Sequence, residues 1–195
     1  MNISELLNSA TGQQIVSQVS ERFGLDQQQA GAAVQSAIPM ILGGLGRNTQ
    51  TPEGAAALGL ALDAKHDGSV LDNIQGFFGN SDAAEQEGNG ILGHIFGNQV
   101  PEVQNGVAKS SGISLAKIGP IVAMLAPIVM GYLSKQKQQN NVSDSGGLGD
   151  LIGGLTGGGG QQGSKGGLID MVSGFLDKNK DGNVIDDIMG MFGKK

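Results

Sequence analysis

No cysteine occurs among the 195 residues, which excludes disulfides, thiol catalysis, iron–sulfur ligation and cysteine-based zinc sites together and leaves the redox compartment open. Tryptophan is absent too, and aromatics make up only 4% of the chain. Its core must therefore be built from Ala, Leu, Ile, Val and Met, a palette that suits closely packed short helices better than a sandwich or barrel. Basic side chains are scarce: twelve Lys and Arg face eighteen Asp and Glu, for a net charge of −6. Such a surface repels a phosphate backbone, so no nucleic-acid partner is expected. Prolines number 5, and the 35 glycines show no G-X-Y period, which excludes collagen. The opening MNISELLNSATG has no basic stretch before an apolar run and no small-residue cleavage pattern, so a conventional signal peptide is not expected. The cytoplasm is then the default compartment, with export by another route left open.

What is present reads as helices, and no segment alternates as a strand would. Asn2 with Glu5 signals a first helix, continued by Ile15, Val19 and Phe23 up to Gly24. Asp26 with Gln29 opens a second, whose Ala30, Ala33, Val34, Ala37, Ile38, Ile41, Leu42 and Leu45 form one apolar stripe that Pro39 should bend or interrupt. Thr51-Pro52-Glu53 starts another, Ser69 with Asp72 the next, Asn89 one across GILGHIFG, and Val103 lies in one more. The most apolar stretch, Ile118–Leu133, lies between Lys117 and Lys135 and contains Pro120 and Pro127. It is shorter than the ~20 apolar residues a bilayer span needs, so a kinked helix at the centre of the core is expected, with membrane association as the lesser alternative.

The expected fold class is therefore all-α, a compact bundle of short helices over residues 1–134. Charge and composition change at that point: residues 1–134 hold five basic and eleven acidic side chains, and residues 135–195 hold seven of each. Residues 135–167 are rich in Gly, Gln, Asn and Ser and read as a linker, although GLGDLIGGL within them is suited to a transient helical turn on a partner. Residues 168–195 follow as a small helix-loop-helix module.

An internal duplication links the two parts. Residues 62–79, LDAKHDGSVLDNIQGFFG, align without gaps to residues 176–193, LDKNKDGNVIDDIMGMFG, with ten of eighteen positions identical. In the second copy Asp177, Asn179, Asp181, Gly182 and Asn183 occupy positions one, three, five, six and seven of an EF-hand-like calcium loop. Position twelve is Ile188 rather than Glu, so Asp186 or Asp187 must close the site, and a weakly bound Ca²⁺ is the expected cofactor. The first copy has Lys65 at position three, where a ligand oxygen belongs; there His66-Asp67-Gly68 reads as a tight turn and Ser69/Asp72 as a helix cap.

His66 and His94 are the only histidines, and a metal-dependent hydrolase using the His66/Asp67 region is the enzymatic alternative. That alternative requires a pocket joining both histidines with at least two carboxylates. No Gly-Lys-Ser/Thr closes a phosphate loop, and no Gly-x-Ser-x-Gly elbow occurs. No catalytic residue can be assigned, which favours a non-enzymatic structural or interaction protein with a protein partner or self-association.

The run SELLNSATGQQIVSQVSERFGLDQQQAGAAVQSAIPMILGGLGRN, then TPEGAAAL, LDAKHDGSVLDNI and GNGILGHIFG, resembles the bacterial family known as domain of unknown function 937 (DUF937), with its YidB-like relatives, over residues 3–134. The resemblance implies a helical fold and a bacterial origin. It implies no activity and no catalytic residues.

Overall fold

The computed structural model describes residues 3–142 and 145–156, and every regular element among them is helical. Helix caps divide the chain. The N-terminal stretch is two helices rather than one, α1 (Ile3–Asn8) and α2 (Ala10–Phe23), because Ser9 between them is extended and its hydroxyl accepts the Gly12 N–H. Asp26 then caps α3 (Gln27–Asn48) reciprocally with Gln29, as their spacing predicts. The stripe from Ala30 to Leu45 is buried. Pro39 does not interrupt it: α3 continues through the proline. Ile38, Ile41 and Leu42 around it are fully buried, and at roughly 1.5–3 kcal/mol each their burial outweighs the ~3 kcal/mol cost of an interior proline.

Thr51 caps α4 (Pro52–Lys65), its hydroxyl accepting the Gly54 N–H. Two expectations fail in the next segment. Ser69 and Asp72 do not cap a helix but form a 3-10 turn (Ser69–Asp72), and Asn73 caps α5 (Ile74–Gly79) by accepting the Gly76 N–H. The Asp72 carboxylate is instead paired with Lys135 at 2.5 Å. Nor does Asn89 begin a helix, since it lies inside α6 (Ser81–Phe96). The buried row Ala84, Gly88, Leu92 and Ile95 has helical spacing and carries the helix past Asn89, which faces outward.

A second 3-10 turn (Gly97–Gln99) leads to α7 (Val100–Ser111), which contains Val103, and then to α8 (Leu115–Gln139). Helix α8 is the centre of the fold, as expected for Ile118–Leu133, and runs unbroken past Pro120 and Pro127. By length and composition it could cross a membrane, but 72% of its most apolar window is buried by the other helices. Its closest neighbour is α6, where a Cβ at Gly88 would overlap the Ala123 carbonyl oxygen. Only glycine permits that approach.

The boundary expected at residue 134 is misplaced. Helix α8 continues to Gln139, and α9 (Ser145–Leu155) buries Leu148, Ile152 and Leu155 in the same core. The segment GLGDLIGGL folds onto the body because its apolar residues recur at helical spacing and Gly59 of α4 and Gly46 of α3 leave room for Leu148 and Ile152. The remainder of the expected linker, and all of the 168–195 module, lie outside the described residues.

Candidate functional site: a cleft between α4 and α6

In α4, Leu58 and Leu62 turn into the core, and Leu60 lies between them. Two residues advance a helix by about 200°, so Leu60 points the opposite way. It is 71% exposed, against 46% for Leu115.

Leu60 forms part of the wall of an open cleft of about 900 Å³ between α4 and α6. Leu45, Leu58, Ile95 and Met130, all buried, form its floor. Exposed Ala57, Ala64, Gly90 and His94 mark its mouth, so most of the wall is apolar and accessible from outside.

The polar side chains of the cleft are mostly cationic or neutral nitrogen groups. Arg47, Lys65, His66 and His94 contribute to it, and Glu87 is the one carboxylate among its lining residues. Among the described residues no carboxylate lies within ion-pair distance of Arg47, Lys65 or His94. The Arg47 guanidinium sits 6.0 Å over the Phe96 ring, and burial pulls its pKa down without removing its charge. Nδ1 of His66 lies 3.5 Å from Glu87 Oε1. Burial nevertheless holds the His66 pKa below its ordinary value, Glu87 and Asp67 only partly opposing this while Lys65 adds to it. Near pH 7 the imidazole is therefore neutral, and Arg47 and Lys65 outnumber Glu87.

The neighbouring turn forms as its sequence predicts. Gly68 takes φ +93°, and Asp67 Oδ1 accepts the Ser69 N–H at 2.9 Å; hydrogen bonding by the Ser69 side chain, and next by its backbone N–H, holds the Asp67 carboxyl below its ordinary pKa. The other two aspartates that the duplication repeats pair with lysines of α8: Asp63 with Lys137 and Asp72 with Lys135, each at 2.5 Å. Leu62, Ile74 and Phe78 are buried, and Val70 packs on Gly131 of α8. Among the identical positions, Leu62, Asp63, Val70, Asp72, Ile74 and Phe78 thus anchor the first copy to the core and to the end of α8.

The hydrolase arrangement is incomplete. His66 and His94 do line one cleft, but Glu87 alone joins them where two carboxylates are required. No group of three or more His, Asp or Glu suited to a metal occurs among the described residues. The proposed calcium ligands Asp177, Asn179, Asp181, Asn183, Asp186 and Asp187 lie outside those residues.

Residues 5–136 match the family described as bacterial protein of unknown function, DUF937. The chain belongs to that family. No curated protein and no solved structure matches it. The DUF937 match ends at residue 136, so α9, which flanks α4, lies beyond it.

Sequence reasoning placed His66 and His94 but missed Arg47, Leu60, Glu87 and Met130 as parts of the same cleft. Leu60 carried a readable signal, an apolar residue out of phase with Leu58 and Leu62. The others join only through the packing of α3, α6 and α8.

Proposed function

We propose that this DUF937 protein is a non-enzymatic interaction protein whose working surface is the α4/α6 cleft, and that its guest is an acidic amphipathic segment of protein chain. The observation that carries this reading is the open, mainly apolar wall with Leu60 at 71% exposure beside Arg47 and Lys65, which have no carboxylate within ion-pair distance among the described residues. An apolar helix face fits such a wall, and a carboxylate at its edge matches the cation surplus. A single exposed leucine is ordinary, but one that forms part of the wall of a concave site of this size is a basis for recognition.

Anilinonaphthalene sulfonate, an apolar body with one anionic group, tests the surface in the full chain. It should bind with a rise in fluorescence, weaken at least several-fold in Arg47→Gln, and weaken further in Leu60→Asp. Equal affinity for all three proteins would refute the reading.

Calcium binding by Asp177, Asn179 and Asp181 with Asp186 or Asp187 is a separate proposal. It is supported by the first copy, where Asp63 and Asp72 each hold a cationic group. Calcium titration of the full chain against Asp177→Ala/Asp181→Ala tests it, and the absence of heat in the parent would end it.

A further inference from the structure

The cleft needs an occupant, and the chain itself carries one of the right chemistry. We infer that residues 168–177, LIDMVSGFLD, are the guest that covers the α4/α6 cleft of their own chain. This assignment rests on the reading of the cleft as a docking surface and adds the identity of its partner.

Three observations support it. The first is where the described chain ends: α9 lies against α3 and α4, and α4 is itself a wall of the cleft. From Thr156 the chain has eleven residues before Leu168, seven of them Gly. Such a segment spans up to about 40 Å when extended, and about 20 Å as a root-mean-square distance when flexible. Helix α4 is only about 21 Å long, so a guest starting near its flank can reach its other face. The second is pattern. Leu168, Ile169, Val172, Phe175 and Leu176 recur at intervals that gather on one face of a helix, the shape an apolar groove accepts. The third is charge. Residues 168–177 contain Asp170 and Asp177 and no cation, opposite a cleft in which Arg47 and Lys65 outnumber Glu87.

The other apolar stretch of the tail is a poorer match. Val184, Ile188 and Phe192 repeat the residues that anchor the first copy at Val70, Ile74 and Phe78, and the stretch ends in Lys194 and Lys195, which the cationic cleft would repel. A tethered guest also gains an effective concentration on the order of millimolar, so modest contacts suffice to keep the cleft covered. An external partner would then have to displace the tail, which makes the cleft a self-covered binding surface.

The absence of cysteine makes the test simple, because one introduced thiol is unique. A nitroxide spin label on Ser173→Cys, in the full nitrogen-15-labelled chain, should broaden the amide signals of Leu60, Ile91 and His94 to less than half their intensity. The broadening should disappear in Val172→Asp/Phe175→Asp, and the same double variant should bind anilinonaphthalene sulfonate several-fold more tightly. Mixing isotope-labelled chains without the nitroxide and spin-labelled chains without the isotope should leave those signals unchanged. Broadening in the mixture as strong as in the single chain would overturn the assignment in favour of a second copy's tail. Broadening elsewhere, or none, would overturn it outright. If the dye still binds the cleft in that case, the docking surface stands without this guest; if it does not, the surface reading falls as well.

Discussion

Helices α4 and α8 are both rich in apolar residues, yet they are used differently. From Ile118 onward α8 is covered almost all round by α3, α4, α6, α7 and α9, and its apolar residues form the core. Helix α4 buries Ala55, Leu58 and Leu62 but leaves Leu60 in an open cleft. The difference shows that apolarity alone does not assign a helix to the interior; the phase of each apolar residue and the number of neighbouring helices do. Leu125 and Leu133 of α8 are structural, whereas Leu60 of α4 stays exposed in the cleft.

The sharpest way to break this comparison is to place the same charge in both helices. Leu125→Asp buries a carboxylate where no exposed surface exists, and should cost more than about 4 kcal/mol, enough to abolish the cooperative thermal transition. Leu60→Asp should change stability by no more than about 0.5 kcal/mol. A comparable loss in both variants would mean that α4 is as structural as α8.

Next in size is the α6–α8 approach. Gly88→Ala places a methyl group on the Ala123 carbonyl oxygen, and should cost about 1–3 kcal/mol in chemical denaturation because backbone, not a flexible side chain, has to yield. Gly90, on the exposed face of the same helix, has nothing within contact of a Cβ, and Gly90→Ala should be neutral or stabilising by up to about 1 kcal/mol. Helix α8 also carries one imperfection. The Tyr132 hydroxyl is buried without a hydrogen-bond partner among the described residues, and burial raises its pKa. Tyr132→Phe removes that unsatisfied group and should raise stability by about 1 kcal/mol.

The smallest effect concerns the edge of the cleft. The His66 pKa is lowered on folding, so as pH falls through the ordinary histidine value of 6.5 the unfolded chain takes up the proton first. Stability should therefore be full above that value, fall as pH drops below it, and level off once the folded state is protonated too. Thermal melts across this range should show the decline in the parent and a smaller one in His66→Gln.

Much of the fold was legible because its signals are local. The Asp26–Gln29 and Thr51-Pro52 caps, the α3 stripe and the apolar run of α8 each depend on residues within a few turns of one another. The failures were tertiary. Burial of Ala84, Gly88 and Leu92 on α8 carries α6 past Asn89, and the attraction of Asp72 to Lys135, 63 positions away, leaves the cap of α5 to Asn73. Residues 145–155 read as linker because their glycine content masked the row Leu148, Ile152 and Leu155, which becomes stable only against α3 and α4. The cleft was legible in part: its histidines were singled out, but Arg47 and Met130 come from α3 and α8, and Glu87, although it shares α6 with His94, forms no motif with it.

The central claim is that the face of α4 bearing Leu60 is a binding surface and α8 is not. A residue-resolved map of amide shifts on titrating anilinonaphthalene sulfonate into the full chain tests it most directly. The account predicts shifts concentrated at Leu60, Ala64, Ile91 and His94, with the exposed start of α8 around Leu115 unmoved. Shifts centred on Leu115, or spread evenly over the exposed apolar residues, would contradict it.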